Sequence, residues 1–227
     1  MNQNYEKKEK ELIECLLGLN KQSTGRQSTF QLALQNANSN KLIGNDFVSL
    51  LLHLIALEQV GNLFCKTNGT DTNGISKAIK EFSNVTFSNI ALEGIKHLRH
   101  SLAHNYSLAI VDHRSSKHKY YKYILHYHEN NNSSYDKSEY YIIPPESEWD
   151  GTLAYSDIEK TYNCKMNINT SFRIFVPSLI ELSEKITDTL RQKYQKGELH
   201  FVCNKENKNL TKDEFLGQIA YKFFVYS

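Results

Sequence analysis

Cysteine is scarce and scattered in this chain: Cys15, Cys65, Cys164 and Cys203 are widely spaced and no two form a CxxC pair. That pattern excludes a disulfide framework and the common zinc-finger spacings, and leaves reduced, buried thiols as the expectation. No sign of charge dominates either. Lys plus Arg is 27 against 25 Asp plus Glu, a formal net charge of +2, so no global field attracts a polyanion and any nucleic-acid contact has to be local. No unbroken apolar run reaches the ~18 residues that span a bilayer, and the opening MNQNYEKKEKELIECLLGL lacks a basic-then-apolar leader. A cytoplasmic chain with no membrane partner is therefore expected. Internal repeats are missing as well, which excludes a solenoid or propeller.

What is present is enough apolar material for one good-sized core: 40% hydrophobic content over 227 residues. The spacing predicts one domain over 1–227, mainly helical, with 107–150 as a β-rich insertion. Amphipathic periodicity marks Tyr5–Leu19, a short helix around Phe30–Ala37, the strongly apolar 45–65, a short helix around Ile75–Phe82, and a helix opened by Ser88 with Ile90, Ile95, Leu98 and Leu102 inward. Within 45–65, His53 and Glu58 interrupt the apolar surface. From Leu108 to Pro145 the segments LAIVDH, KYYKYILHYH and SEYYIIPP read as strands, with ENNNSSYDK as a hairpin loop. Helix resumes in TSFRIFVPSLIELSEKITDTLRQKYQK, where Pro177 should start or kink it. The tail reads as a strand, ELHFVCNK, followed by either a short helix or a second strand.

Chemistry concentrates in IKHLRHSLAHNYSLAIV, residues 95–111. His97, His100 and His104 stand at i, i+3, i+7, along one helix face. Such a row admits a metal site completed by His53 or Glu58, and equally a face that simply meets water. Arg99 and His104, five apart, point about 140° from each other on an ideal helix. Arginine is long enough to sweep back, and a helix ending near Asn105 would help both reach one phosphodiester. Guanidinium grips phosphate through two parallel hydrogen bonds, and imidazole gives or takes a proton near neutrality.

The run Arg99-His100-Ser101-Leu102-Ala103-His104, an Arg-x4-His with a polar residue after the arginine, resembles the signature of the HEPN superfamily. Extended to Tyr106 it is similar to the Arg-x4-His-x-Tyr of the HepT toxins. The resemblance covers 1–106 and 170–196, which would be the bundle of a HEPN-like four- or five-helix fold; 107–150, read from its strand pattern as a small antiparallel β-hairpin insertion after the motif helix, and the last 30 residues have no counterpart in it. It implies a metal-independent endoribonuclease of a prokaryotic defence or toxin–antitoxin system, with RNA as substrate and no cofactor. Arg99 would hold the scissile phosphate, His104 would act as general base or acid, and His100 would orient substrate or arginine. A homodimer would bring two copies of the motif together, and a separate nucleotidyltransferase antitoxin could AMPylate Tyr106. The alternative is a non-catalytic HEPN-like module that binds nucleotide, nucleic acid or protein.

Other residues admit a plainer account beside a functional one. Tyr120, Tyr121, Tyr123 and Tyr127 with Lys117, Lys119 and Lys122 could stack bases beside a basic edge, but aromatic residues also favour strands for packing. His126 and His128, alternating with Tyr127, are expected on the hairpin's outer face. Arg26 and Arg173 are further candidate phosphate contacts.

Overall fold

The computed structural model describes residues 3–19, 26–67, 73–113, 117–152, 167–203 and 209–226. In chain order its elements are α1 (Gln3–Leu17), β1 (Arg26–Ser28), α2 (Thr29–Leu42), α3 (Asp46–Phe64), α4 (Gly74–Phe82), α5 (Asn89–Asn105), β2 (Ala109–Asp112), β3 (Lys119–His126), β4 (Ile142–Ile143), β5 (Phe172–Phe175), α6 (Val176–Gln195), α7 (Lys212–Phe223) and β6 (Phe224–Tyr226). The chain is mainly helical with a small mixed sheet. Its contacts group into two compact units, Met1–Ser83 with Ser183–Ser227, and Asn84–Leu182. The motif helix α5 thus groups with the strands that follow it, a division not drawn from the sequence.

In the first unit α3 packs between α2 and α4. Asn45 caps α3 by accepting a hydrogen bond from the Val48 amide, and Leu50, Leu54, Leu57 and Val60 are buried. Gly61 is what lets α4 close on it: a Cβ there would stand 1.7 Å from the Gly74 carbonyl oxygen. By length and composition α3 is apolar enough to cross a membrane, which the sequence reading did not credit, but 56% of that stretch is buried inside the protein. Within it the buried His53 makes a 3.1 Å contact from Nδ1 to Ser183 Oγ. Helix α2 runs longer than the expected Phe30–Ala37, opened by a reciprocal cap between Ser28 and Gln31.

The tail departs from expectation in one part. ELHFVCNK forms no strand among its described residues; the Phe201 amide instead donates to the buried carboxylate of Glu9 at 3.0 Å, and the Phe201 ring stacks on Phe64. The following segment takes both of the forms left open, helix α7 and then strand β6, which pairs antiparallel with β1. No disulfide forms among the described residues. Cys65 is buried and its thiol is pushed up to about 12, chiefly by that burial, whereas Cys15 is half-buried and Cys203 exposed, against the expectation of uniformly buried thiols. Cys164 lies outside the described residues.

In the second unit the sheet order is β2-β3-β5-β4. LAIVDH and KYYKYILHYH form the antiparallel β2 and β3 as expected. The third expected strand does not pair with them: Ser138–Tyr140 is a turn of 3-10 helix, and only Ile142–Ile143 is extended, against β5. The intervening partner of β3 is β5, parallel to it, within a segment whose spacing predicts helix. Phe172 and Phe175 continue the helical stripe of Leu179, but they lie in a strand of only four residues, with Phe172, Ile174 and Phe175 buried and Arg173 half-buried, too short for its period to be told from a turn of helix. The helix begins only at Val176, with Pro177 in its first turn, where a missing amide proton costs nothing.

Candidate functional site

The residues singled out by the sequence lie at the C-terminal half of α5, within the second unit. Ser88 caps this helix, its Oγ accepting from the Ala91 amide at 3.1 Å. Ile95, Leu98 and Leu102 are fully buried as the stripe requires, but Ile90 is exposed. Against β5 the helix fits closely because Gly94 has no side chain: a Cβ there would meet the Phe172 ring at 2.5 Å. Beside it the buried Tyr123 hydroxyl donates to the Gly94 carbonyl at 2.9 Å. The helix and sheet are thereby pinned at the turn preceding the histidines.

The end of α5 is equally defined. Tyr106 adopts a left-handed conformation with φ 46, and its amide donates back to the Ser101 carbonyl. The buried Ser101 hydroxyl donates to the Ser107 carbonyl at 2.6 Å, and the Ala109 amide to Ser107 Oγ at 3.1 Å. These bonds turn the chain sharply from α5 into β2. A non-glycine residue in the left-handed region is uncommon, and Tyr106 is 75% exposed.

The three histidines of the row do not share one environment. His97 is buried, its ring stacked on Tyr121 with centroids 4.1 Å apart and its Nε2 3.5 Å from Asp112 Oδ2. Burial, aided by the Lys96 charge, holds its imidazole down to about 4 despite the attraction of Asp112. It is neutral near pH 7, so the approach to Asp112 is not an ion pair. Tyr121, beneath it, keeps its phenol protonated well above the usual range, again mainly through burial. His100 and His104, by contrast, are half-buried and exposed respectively, and their rings meet at 4.4 Å with planes 54° apart. Arg99 is half-buried on the same turn as His100.

The structure therefore brings His100 and His104 together and separates His97 from them by burial. Helix α5 continues through Asn105, so Arg99 and His104 remain helical and roughly 140° apart in direction. His53 is buried in the first unit with its imidazole held down to about 4, first by burial and then by Lys41, and Glu58 is half-buried there. Among the described residues no group of three or more His, Cys, Asp or Glu side chains is placed to hold a metal ion.

Part of the tyrosine edge is packed away and part is exposed. Tyr121 and Tyr123 are buried, and Lys122 is buried with its Nζ 5.2 Å over the Trp149 ring. Tyr120 meets Trp149 edge to face, Lys119 approaches Glu93 at 3.7 Å, and Lys117 and Tyr127 are exposed. His126 departs from its expected outer face: it is half-buried and stacked on Phe175 at 5.0 Å, while His128 is exposed. Arg173 is half-buried on β5, close enough to help burial and His128 lower the His126 imidazole. The Arg26 side chain lies outside the described residues.

Two features of this region escaped the sequence. Asp112 and Tyr121 enclose His97, and His113 meets His118 across the hairpin. The signal for both was the β2–β3 register, which sets Val111 opposite Tyr120 and Asp112 opposite Lys119. Comparison with family models, with curated proteins and with solved structures finds no match for this chain.

Proposed function

We propose that this chain is a metal-independent endoribonuclease of the HEPN type, acting on RNA as a homodimer in a prokaryotic defence or toxin–antitoxin system. The observation that carries the reading is the pair of accessible imidazoles, His100 and His104, at 4.4 Å on the helix that also bears Arg99.

In the reaction the substrate's own 2′-hydroxyl attacks the adjacent phosphorus. A base, His104, takes the 2′ proton as the new P–O2′ bond forms. The P–O5′ bond breaks, and an acid returns a proton to the departing 5′ oxygen. No water is consumed, and the products are a 2′,3′-cyclic phosphate and a 5′-hydroxyl. Arg99 holds the non-bridging oxygens and stabilises the charge that builds there, the larger part of catalysis in such a step. His100, against the His104 ring, orients substrate or arginine; the symmetry-related motif supplies the second proton transfer. The exposed Tyr106, two residues beyond His104, is open to AMPylation by a nucleotidyltransferase antitoxin, its Oη taking the α-phosphorus of ATP with loss of pyrophosphate.

The test is cleavage of single-stranded RNA in excess EDTA by the wild type and by Arg99→Ala and His104→Ala. The wild type should cut and both variants should lose about 100-fold or more in rate with circular dichroism unchanged. Equal inactivity of all three folded proteins would favour a non-catalytic binding module instead.

A further inference from the structure

We propose that His113 and His118 form a two-imidazole chelate for a borderline divalent transition-metal ion such as Zn2+. The ladder between β2 and β3 pairs Ala109 with Lys122 and ends with Asp112 opposite Lys119. One step further along the same antiparallel register, His113 faces His118. Residues opposed in this way hold their Cβ atoms about 4.5–5.5 Å apart, so the backbone alone brings the two imidazoles within reach of one ion. The side chains agree with the register: Nδ1 stands 3.1 Å from Nδ1, with the rings edge to face and both residues exposed.

That spacing is what a shared metal needs. With metal–nitrogen bonds of about 2.0–2.1 Å, two ligands at a right angle stand roughly 2.9 Å apart and two at the tetrahedral angle roughly 3.4 Å. The observed 3.1 Å lies between them. In the metal-free chain a hydrogen bond between the two nitrogens accounts for their approach; a divalent cation takes its place when both neutral rings carry their hydrogen on Nε2. Water completes the coordination on the exposed side. Among the described residues the charges next to the pair in sequence are Asp112, Lys117 and Lys119, the last standing 3.7 Å from Glu93. The pair is independent of the cleavage chemistry proposed for Arg99 and His104, and its test needs no activity.

Zn2+ is titrated into the full-length chain at pH 7.5 by calorimetry, with imidazole resonances followed by NMR. One saturable site is expected, with the His113 and His118 signals moving together. His113→Ala and His118→Ala should each weaken it by about tenfold or more, whereas the paired His126→Ala and His128→Ala change leaves it intact. Wild-type affinity in the His113 and His118 variants, signals moving only at other histidines, or no saturable binding would each overturn the proposal.

Discussion

The imidazole of His97 lies nearly flat on the Tyr121 ring, planes 20° apart, while its Nε2 faces Asp112. This histidine joins α5 to both strands of the hairpin, which makes it part of the scaffold and not of a solvent-facing row. His97→Ala should lower stability by about 2 kcal/mol through lost ring packing and the cavity left behind. Chemical denaturation measures it; an unchanged midpoint would show that the packing contributes little.

Acid sensitivity follows from two imidazoles, His53 and His97, each held down to about 4, in both cases first by burial. In the unfolded chain both accept protons below about 6.5. Between those values the unfolded state binds more protons than the folded one, so stability falls as pH drops from about 6.5 towards 4, by at most about 3 kcal/mol for each histidine. Urea unfolding at pH 7.5, 6 and 5 should show this decline. Substituting both by Gln should flatten this part of the curve; a double variant with the wild-type slope would refute the assignment.

Gly94→Ala reverses the usual helix preference. Alanine normally stabilises a helix interior by about 1 kcal/mol relative to glycine, but here the added carbon runs into the Phe172 ring. Net destabilisation of about 1–3 kcal/mol is expected from overpacking, read as a lower thermal midpoint. A stabilised variant would mean that α5 can shift from β5 at little cost.

Tyr106→Gly should act in the opposite direction. The left-handed cap strains any residue with a Cβ, and the exposed ring brings little packing, so relief of about 0.5–1 kcal/mol is predicted. The same variant removes the candidate AMPylation hydroxyl. Loss of stability would show that the ring contributes more than its exposure suggests.

Much of the helical layout was legible because α1, α3, α4 and α5 carry caps or amphipathic spacing that act locally. Ser88 and Asn45 announced their helices, whereas Pro177 left open a start or a kink. What stayed hidden depends on partners distant in sequence. Phe172–Phe175 is a strand because β3 and β4 flank it, and no local pattern separates so short a strand from a turn of helix. His97, His100 and His104 looked alike at helical spacing, and only the hairpin register, which sets Tyr121 and Asp112 over the first of them, distinguishes it from the others.

The central claim is that the RNA's own 2′-hydroxyl is the nucleophile at a site built on Arg99 and His104. Its most direct measurement compares, in EDTA, an unmodified oligoribonucleotide with the same sequence carrying 2′-O-methyl groups throughout, with product ends identified by mass spectrometry. The account predicts cleavage of the unmodified strand to 2′,3′-cyclic phosphate ends and an intact methylated strand. Cutting of the methylated strand, 5′-phosphate products, or an unmodified strand left whole by the folded protein would contradict it.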